Sequence, residues 1–196
     1  MESLSGIEIF KKLRDKNIKF VDYSTLGKIT GHTNKNTIYK LAERLVNKEV
    51  LVRVSPGLFL LKDAPISEFE IANYIYQPSY ISLESALSFY GIIPQFAYTI
   101  TSITTRKVKR ILVEGKEYSY SKINEGLYWG YEKKSDILIA SPEKALLDIM
   151  YFASKGISRP DFKEMDLTII DKDKLLMEAK KFKSGFVLNK AIEITK

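Results

Sequence analysis

The residues best suited to chemistry lie between positions 33 and 47, where amide, hydroxyl and basic side chains recur at helical spacing. The apolar residues of this stretch fall at i, i+3, i+4 and i+7 and so form one face of a predicted helix: Ile38, Leu41, Ala42 and Leu45. The opposite face then carries polar side chains: Asn36, Thr37, Lys40, Glu43, Arg44 and Asn47. Asparagine can pair bidentately with adenine, and lysine or arginine with guanine. This face therefore has the chemistry needed to read base edges in duplex DNA.

Individual roles on this surface follow from position along the helix. Asn36 and Lys40 are the best candidates for base contacts. Exposed N–H groups at a helix N-terminus favour an anionic phosphate. Residues near that end are therefore expected to reach phosphates or base edges: Thr33, Lys35 and Thr37. Three further residues are better placed to contact the DNA backbone, which positions a protein without reading sequence: Lys28, His32 and Arg44.

Two preceding helices must hold this face outwards. Apolar spacing predicts a first helix over residues 4–16. A short second helix begins at a cap, Asp22 or Ser24, and ends at Gly31. The third helix is capped by Thr33 or Asn34. Together the second and third helices predict a helix-turn-helix that presents the polar face to the DNA major groove.

A β-hairpin is predicted after the third helix, over residues 50–61. Its turn is Ser55-Pro56-Gly57, where proline followed by glycine suits a type II turn because glycine tolerates a positive φ. Arg53 and this turn would form the wing of a winged helix-turn-helix and contact an adjacent groove or phosphate strand. The stretch 62–65 reads as a linker, so the first predicted domain covers residues 1–63.

The second predicted domain, residues 67–196, mixes helices and strands, which makes the fold class α+β. Capping patterns and apolar spacing predict helices from Ser67 towards Tyr76, over 83–90 with Ser82 as the cap, over 142–153, near 173–182 and near 187–194. Alternating or β-rich segments predict strands at 98–104, 108–113, 117–120, 127–131 and 137–139.

The basic charge is concentrated in the first domain. Residues 1–62 contain 12 Lys and Arg against 6 Asp and Glu, whereas the remainder has 19 against 18. Clustered positive charge attracts polyanions. The chain has no Cys, which excludes disulfides and Cys-based metal clusters. We find no membrane-spanning run and no secretory pattern at the N-terminus, and we therefore expect a cytoplasmic protein without a membrane partner.

Four segments of the chain are similar to one known family. They are LGKITGHTNKNTIYKLAERLVNKEVLVRVSPGLFLLKDAP, YISLESALSFYGIIPQ, YTITSITTRK and ILIASPEKALLDIMYF. In this order they resemble the AbiEi-type antitoxins of abortive-infection toxin–antitoxin systems, over roughly residues 20–155. The most specific motifs are S-x-x-S-A-L-x-x-Y-G at Ser82–Gly91 and S-P-E-K-A-L-L-D at Ser141–Asp148.

The resemblance implies a winged helix that binds inverted repeats in its own promoter and represses its operon. It also implies a C-terminal domain that counters a nucleotidyltransferase-like toxin encoded beside it, as a functional partner without a stable complex. Three residues of the second motif become candidates for the antitoxin surface: Glu143, Lys144 and Asp148. From the residues alone, Asp148 is better explained by an ion pair with Lys144 one helical turn away, and Glu143 and Lys144 by surface positions.

A second basic cluster follows in the strand-rich region: Arg106, Lys107, Lys109 and Arg110. It predicts either another surface for nucleic acid or an RNA-handling partner, or a charged strand edge that discourages aggregation. Trp129 is better explained by packing than as a stacking platform for single-stranded nucleic acid.

We expect a DNA-binding repressor with antitoxin activity, without catalytic residues, cofactor or metal. A winged-helix module that docks a protein partner is the alternative. A third interpretation is a metal-dependent nuclease built on Glu114 and Lys116 with Asp136 as the second acid, although Gly115 reads more naturally as a hairpin turn.

Overall fold

The computed structural model describes residues 4–95 and 98–195 as a mixed α+β protein. This confirms the predicted fold class. The chain divides into two compact units, of which the first ends at Ser67 and the second begins at Glu68.

The first unit consists of short helices on a small antiparallel sheet. Its elements in chain order are α1 (Gly6–Asp15), β1 (Phe20–Asp22), α2 (Tyr23–Thr30), α3 (Lys35–Asn47), β2 (Leu51–Ser55) and β3 (Leu58–Leu61). The strands pair in the order β1-β3-β2. The apolar faces of α1, α2 and α3 and the strand residues Leu51 and Phe59 form one core.

Local capping explains where these helices begin and end. Ser5 caps α1 by accepting a hydrogen bond from the backbone N–H of Glu8 at 3.3 Å. Asp22 caps α2 by accepting from Thr25 N at 2.7 Å, and Gly31 ends it in the left-handed conformation with φ +75°. The predicted second helix is therefore confirmed, with Asp22 rather than Ser24 as its cap. Gly57 has φ +79°, as the hairpin turn requires.

The second unit is built around a larger sheet. Its strands are β4 (Ser79–Ile81), β5 (Ile100–Thr104), β6 (Lys109–Val113), β7 (Lys116–Lys122), β8 (Tyr131–Lys134) and β9 (Ile137–Ala140). They lie in the order β6-β7-β5-β4-β9-β8. Pairs β4–β9 and β5–β7 are parallel, and the others are antiparallel.

Helices pack on this sheet and on one another. They are α4 (Glu68–Ile75), α5 (Leu83–Phe89), α6 (Pro142–Ser154), α7 (Lys172–Ala179) and α8 (Gly185–Thr195). Tyr120 of β7 donates a hydrogen bond to the carbonyl of Ala72 in α4 at 2.7 Å, which places α4 on one face of the sheet. Tyr80 and Ser82, at β4, both donate to Asp148 of α6, which lies on the other face.

Two predictions about the strands and helix caps of this unit are wrong. The predicted strand over 127–131 is a 3-10 helix, Glu125–Leu127, followed by a loop, and β8 begins only at Tyr131. Ser82 holds the N-cap position of α5, but its hydroxyl makes no capping hydrogen bond because it donates to Asp148 instead.

Candidate nucleic-acid interface

The polar face of α3 is the largest set of predicted contacts that the fold brings together. Asn34 caps this helix by accepting a hydrogen bond from Thr37 N at 3.2 Å. The apolar face is buried in the core of the first unit, as predicted: Ile38, Leu41, Ala42 and Leu45. The predicted polar face is exposed throughout: Asn36, Thr37, Lys40, Glu43, Arg44 and Asn47.

The turn between α2 and α3 places further predicted residues beside this face. Lys28, His32 and Thr33 line one open concavity of about 390 Å³ together with Gly27 and Ile38. Lys28 and Thr33 are exposed, and His32 is half-buried. Lys35 is exposed at the first position of α3. These side chains therefore surround the N-terminal end of α3.

Gly27 allows the two helices to approach this closely. A Cβ atom at Gly27 would lie 3.1 Å from the carbonyl oxygen of His32 and 3.2 Å from Cδ1 of Ile38. Such separations are tighter than ordinary van der Waals contact. The backbone oxygen cannot move without changing the turn, so a side chain at this position would push α2 away from α3.

An aromatic cluster fixes the hairpin turn against α2. The ring of Tyr23 lies 4.4 Å from that of Tyr39 and 5.7 Å from that of Phe59, centroid to centroid. A Cβ atom at Gly57 would lie 3.2 Å from Cε2 of Tyr23, so the turn rests directly on this ring. Tyr39 is 44% exposed on the surface of α3. Sequence reasoning missed Tyr23 and Tyr39, although an exposed tyrosine within a polar helix face was a visible signal.

Arg53, the predicted wing contact, is exposed but engaged within the unit. Its guanidinium forms an ion pair with Glu43 on α3, and its Cζ lies 5.1 Å from the centroid of the Phe59 ring. The side chain therefore connects β2 to α3. Its role as a DNA contact stays a prediction.

The second basic cluster lies on and beside β6, the outermost strand of the larger sheet. All four of its members are exposed: Arg106, Lys107, Lys109 and Arg110. Arg106 donates to the carbonyl of Gln77 at 3.0 Å, and Arg110 lies 3.5 Å from a Glu117 carboxylate oxygen. The position at a sheet edge fits the edge-protection interpretation and leaves the binding interpretation open.

The candidate antitoxin residues occupy a different environment from the one predicted. Lys144 and Asp148 are completely buried and form an ion pair, which confirms the structural partnership predicted for Asp148. Asp148 also accepts hydrogen bonds from Tyr80 at 3.0 Å and Ser82 at 2.8 Å, and Lys144 donates to the Tyr80 hydroxyl at 2.9 Å. The prediction that Glu143 and Lys144 are surface residues is wrong, because both are buried.

Aromatic rings enclose the Lys144 ammonium. Its Nζ lies 5.0 Å from the Trp129 ring and 5.2 Å from the Phe182 ring. Trp129 also packs edge-on against Phe182 at 5.7 Å, so it serves packing, as expected, although from a loop rather than a strand. Burial lowers the pKa of Lys144 and raises the pKa of Asp148, and their ion pair opposes both effects.

Glu143 joins α6 to α7. Its carboxylate accepts hydrogen bonds from the Lys174 ammonium at 2.7 Å and from Asp171 N at 3.2 Å. Burial acts to raise the pKa of Glu143, but these hydrogen bonds outweigh it, and the pKa lies below its ordinary value. Glu143 is therefore a structural anion that holds the C-terminal helices against α6.

The residues proposed for a nuclease are not brought together. Glu114 and Gly115 form the β6–β7 turn with positive φ values, which confirms the hairpin interpretation. Asp136 lies in the turn between β8 and β9. Because β6 and β8 are opposite edges of the sheet, Glu114 and Asp136 do not share a site.

Comparison with known proteins adds no relative to this picture. No protein-family model matches the chain, and no curated protein is significantly similar to it. Among the described residues, the helices are all too short or too polar to cross a membrane.

Proposed function

We propose that this chain is a sequence-specific DNA-binding regulator whose first unit is a winged helix-turn-helix. In this proposal α2 and α3 form the helix-turn-helix, and the β2–β3 hairpin is the wing. The observation that carries it is the exposed polar face of α3, which lies opposite a fully apolar buried face. A helix held in this way can enter the DNA major groove and present amide and basic side chains to base edges.

The first turns of α3 supply the base contacts in this proposal. Asn36 and Lys40 lie one helical turn apart and are both exposed. Thr33, Lys35 and Thr37 are grouped around the same helix end, where phosphate or base edges are within reach. One N–H of that end, on Thr37, is already bonded to Asn34. The side chains of Lys35 and Thr33 therefore act together with the remaining N–H groups of that end in phosphate binding.

Contacts to the DNA backbone accompany these base contacts. Lys28 and His32 line the concavity between α2 and α3, and Arg44 lies further along the exposed face. We assign all three to phosphates. We also propose that Arg53 acts by neutralising and holding Glu43, because an unpaired carboxylate on this face would repel the DNA backbone.

A titration of the full chain against DNA tests the proposal. Fluorescence anisotropy is measured with labelled duplex from upstream of the gene and with random duplex, at two salt concentrations. Asn36→Ala and Lys40→Ala should each cost about 1–3 kcal/mol on the operator and much less on random DNA. Lys28→Ala should weaken binding to both and reduce the salt slope by about one unit. Lys163→Ala, an exposed lysine of the second unit, is the matched control.

Equal binding of operator and random duplex by the wild-type chain would reject sequence-specific recognition. Equal losses on both duplexes for Asn36→Ala would reject its base-reading role alone. A loss with Lys163→Ala as large as that with Lys28→Ala would reject the specific phosphate contact proposed for Lys28.

We further propose that the chain represses its own operon and serves as its antitoxin. The resemblance to AbiEi-type antitoxins carries this step, and one contact supports it. Ser82, from the first resembling motif, donates a hydrogen bond to Asp148, from the second, at 2.8 Å. The two most specific motifs thus meet in one buried network rather than lying apart. Co-expression with a neighbouring nucleotidyltransferase-like gene tests the proposal, since rescue of growth is expected and continued growth arrest would reject it.

A protein-docking role for the first unit is the second candidate function. The exposed Tyr39 ring favours it, because aromatic residues are enriched at protein interfaces. The same titration separates the two functions. Operator affinity that depends on Asn36 and Lys40 supports DNA binding, and affinity for no duplex favours docking.

A further inference from the structure

Strand β6 is an open edge of the larger sheet. It pairs antiparallel with β7, in the register that runs from Lys109 opposite Tyr120 to Val113 opposite Lys116. Among the described strands, β7 is its neighbour on one side and nothing pairs with the other side. An edge strand presents a row of backbone N–H and C=O groups that can pair with another extended chain.

Cations lie on both faces of this edge. The ammonium of Lys109 is 4.9 Å from the centroid of the Tyr76 ring. The guanidinium of Arg110 is 3.5 Å from a Glu117 carboxylate oxygen. Successive residues of a strand point to opposite faces, so an added strand would meet one positive charge on each side.

Exposed apolar side chains flank these two cations. Val108 is 69% exposed and Leu112 is 68% exposed. A phosphate backbone gains nothing from such groups, whereas cross-strand pairs between apolar side chains stabilise a polypeptide strand. The edge is therefore better suited to a polypeptide than to a nucleic acid.

The same charges select among polypeptides. A second copy paired through β6 would bring cations against cations in every register that sets Lys109 or Arg110 opposite Lys109 or Arg110, and like charges opposite one another destabilise a sheet. An acidic strand would instead gain an ion pair on each face. The basic charges thus disfavour pairing of β6 with a second copy and favour pairing with an acidic partner.

We propose that β6 binds an acidic, extended segment of a partner protein as an added antiparallel strand. Carboxylates of that segment pair with Lys109 and Arg110, and its apolar side chains contact Val108 and Leu112. Backbone hydrogen bonds along β6 supply the remaining affinity, as in other cases of strand addition. This site is independent of DNA binding by the first unit.

A designed peptide tests the proposal with the full chain. The probe is the acetylated, amidated heptapeptide Ser-Val-Thr-Glu-Glu-Val-Glu, which places its adjacent glutamates opposite Arg110 and Lys109. Binding is followed by anisotropy of a labelled form and by hydrogen exchange. We expect slower exchange of the β6 amides and at least about tenfold weaker binding to Lys109→Glu/Arg110→Glu. Lys133→Glu/Lys163→Glu is the control with the same change in net charge, and it should bind as the wild type does.

A second peptide separates strand addition from charge attraction. The same sequence with alternate backbone nitrogens methylated keeps its charge but cannot complete the ladder, and its binding should be lost. Equal binding of the methylated peptide, or equal affinity of the folded Lys109→Glu/Arg110→Glu chain, would overturn the proposal. So would tight binding of labelled single-stranded or duplex DNA that requires Lys109 and Arg110 while the acidic peptide fails to bind.

Discussion

Replacing Lys144 with methionine tests how the second unit stabilises its buried charges. Methionine is close to the aliphatic part of lysine in volume, so the change removes the ammonium without opening a large cavity. Asp148 then keeps its hydrogen bonds from Tyr80 and Ser82 but loses its counter-ion inside a fully buried site. Breaking a buried ion pair by removing one partner costs about 3–5 kcal/mol. Whole domains are stable by only about 5–15 kcal/mol, so the effect should be large.

Urea unfolding at pH 7, followed by circular dichroism, measures the cost. Lys144→Met/Asp148→Leu removes both charges together, and we expect this double variant to recover part of the stability lost in the single variant, because the hydroxyls of Tyr80 and Ser82 then lose their acceptor. Lys163→Met, at an exposed lysine, is the control and should change the free energy of unfolding by less than about 0.5 kcal/mol.

The deficit of Lys144→Met should depend on pH. Burial raises the pKa of Asp148, and Lys144 opposes that rise. Without Lys144 the folded-state pKa rises further above the unfolded value. Stability is then retained at low pH and lost as the pH rises through the folded pKa, so the deficit should shrink as the pH falls towards 4. A loss of less than about 1 kcal/mol at pH 7, or a double variant as unstable as the single one, would refute the reasoning.

Three further substitutions test close packing and burial. A Cβ atom at Gly130 would lie 2.9 Å from Cγ of Lys144, and φ there is +74°; Gly130→Ala should therefore cost about 2–4 kcal/mol in urea unfolding. Gly27→Ala should reduce both the stability of the first unit and its affinity for duplex DNA, because its Cβ would lie 3.1 Å from the His32 carbonyl oxygen; unchanged thermal unfolding would contradict this. Glu178 is buried with its Oε2 unbonded among the described residues, and burial raises its pKa. Glu178→Met should stabilise the chain by about 1 kcal/mol at pH 7, and this gain should disappear as the pH falls below 4.5, where the wild-type carboxyl is protonated.

Helices whose boundaries are encoded locally could be predicted from the sequence. The caps of α2 and α3 act within a few residues of their own position. Asp22 and Asn34 accept hydrogen bonds from backbone N–H groups in the first turn of each helix, and Gly31 ends α2. Ser141 and Pro142 do the same at the start of α6. Capping and helical periodicity need no knowledge of distant contacts, so both boundaries and the exposed face of α3 follow from the chain alone.

Short strands could not be predicted, because pairing with distant segments creates them. Strand β1 is three residues long and exists by pairing with β3, and β4 is equally short and lies between β5 and β9. Neither strand is long enough to show an alternation of apolar and polar side chains in the sequence. The opposite error occurred at 127–131, where aromatic composition favours a strand but Tyr128 and Trp129 pack against Tyr80 and Lys144 instead.

The sequence predicts which residues of α3 form the candidate interface, but not the contacts that join α3 to the neighbouring elements. Periodicity identifies which residues of α3 point outwards, yet it says nothing of contacts between elements. The ion pair of Arg53 with Glu43 joins the hairpin to α3, and the tilted ring contact of Tyr23 with Tyr39 joins α2 to α3. These contacts determine where the turn at Gly57 lies relative to α3, and they appear only in the folded unit.

The buried network also gives a physical reason why the two resembling motifs belong together. Lys144 and Asp148 lie one turn apart on α6, so their spacing alone predicts an ordinary surface ion pair. The pair is fully buried, with Trp129 and Phe182 against the Lys144 ammonium, and it requires further hydrogen bonds because buried charges are costly unless fully satisfied. Ser82 of the other motif and Tyr80, two residues before it, supply those bonds. Substitution in either motif would therefore leave a buried charge unsatisfied, which couples two segments that are distant in sequence through one ion pair.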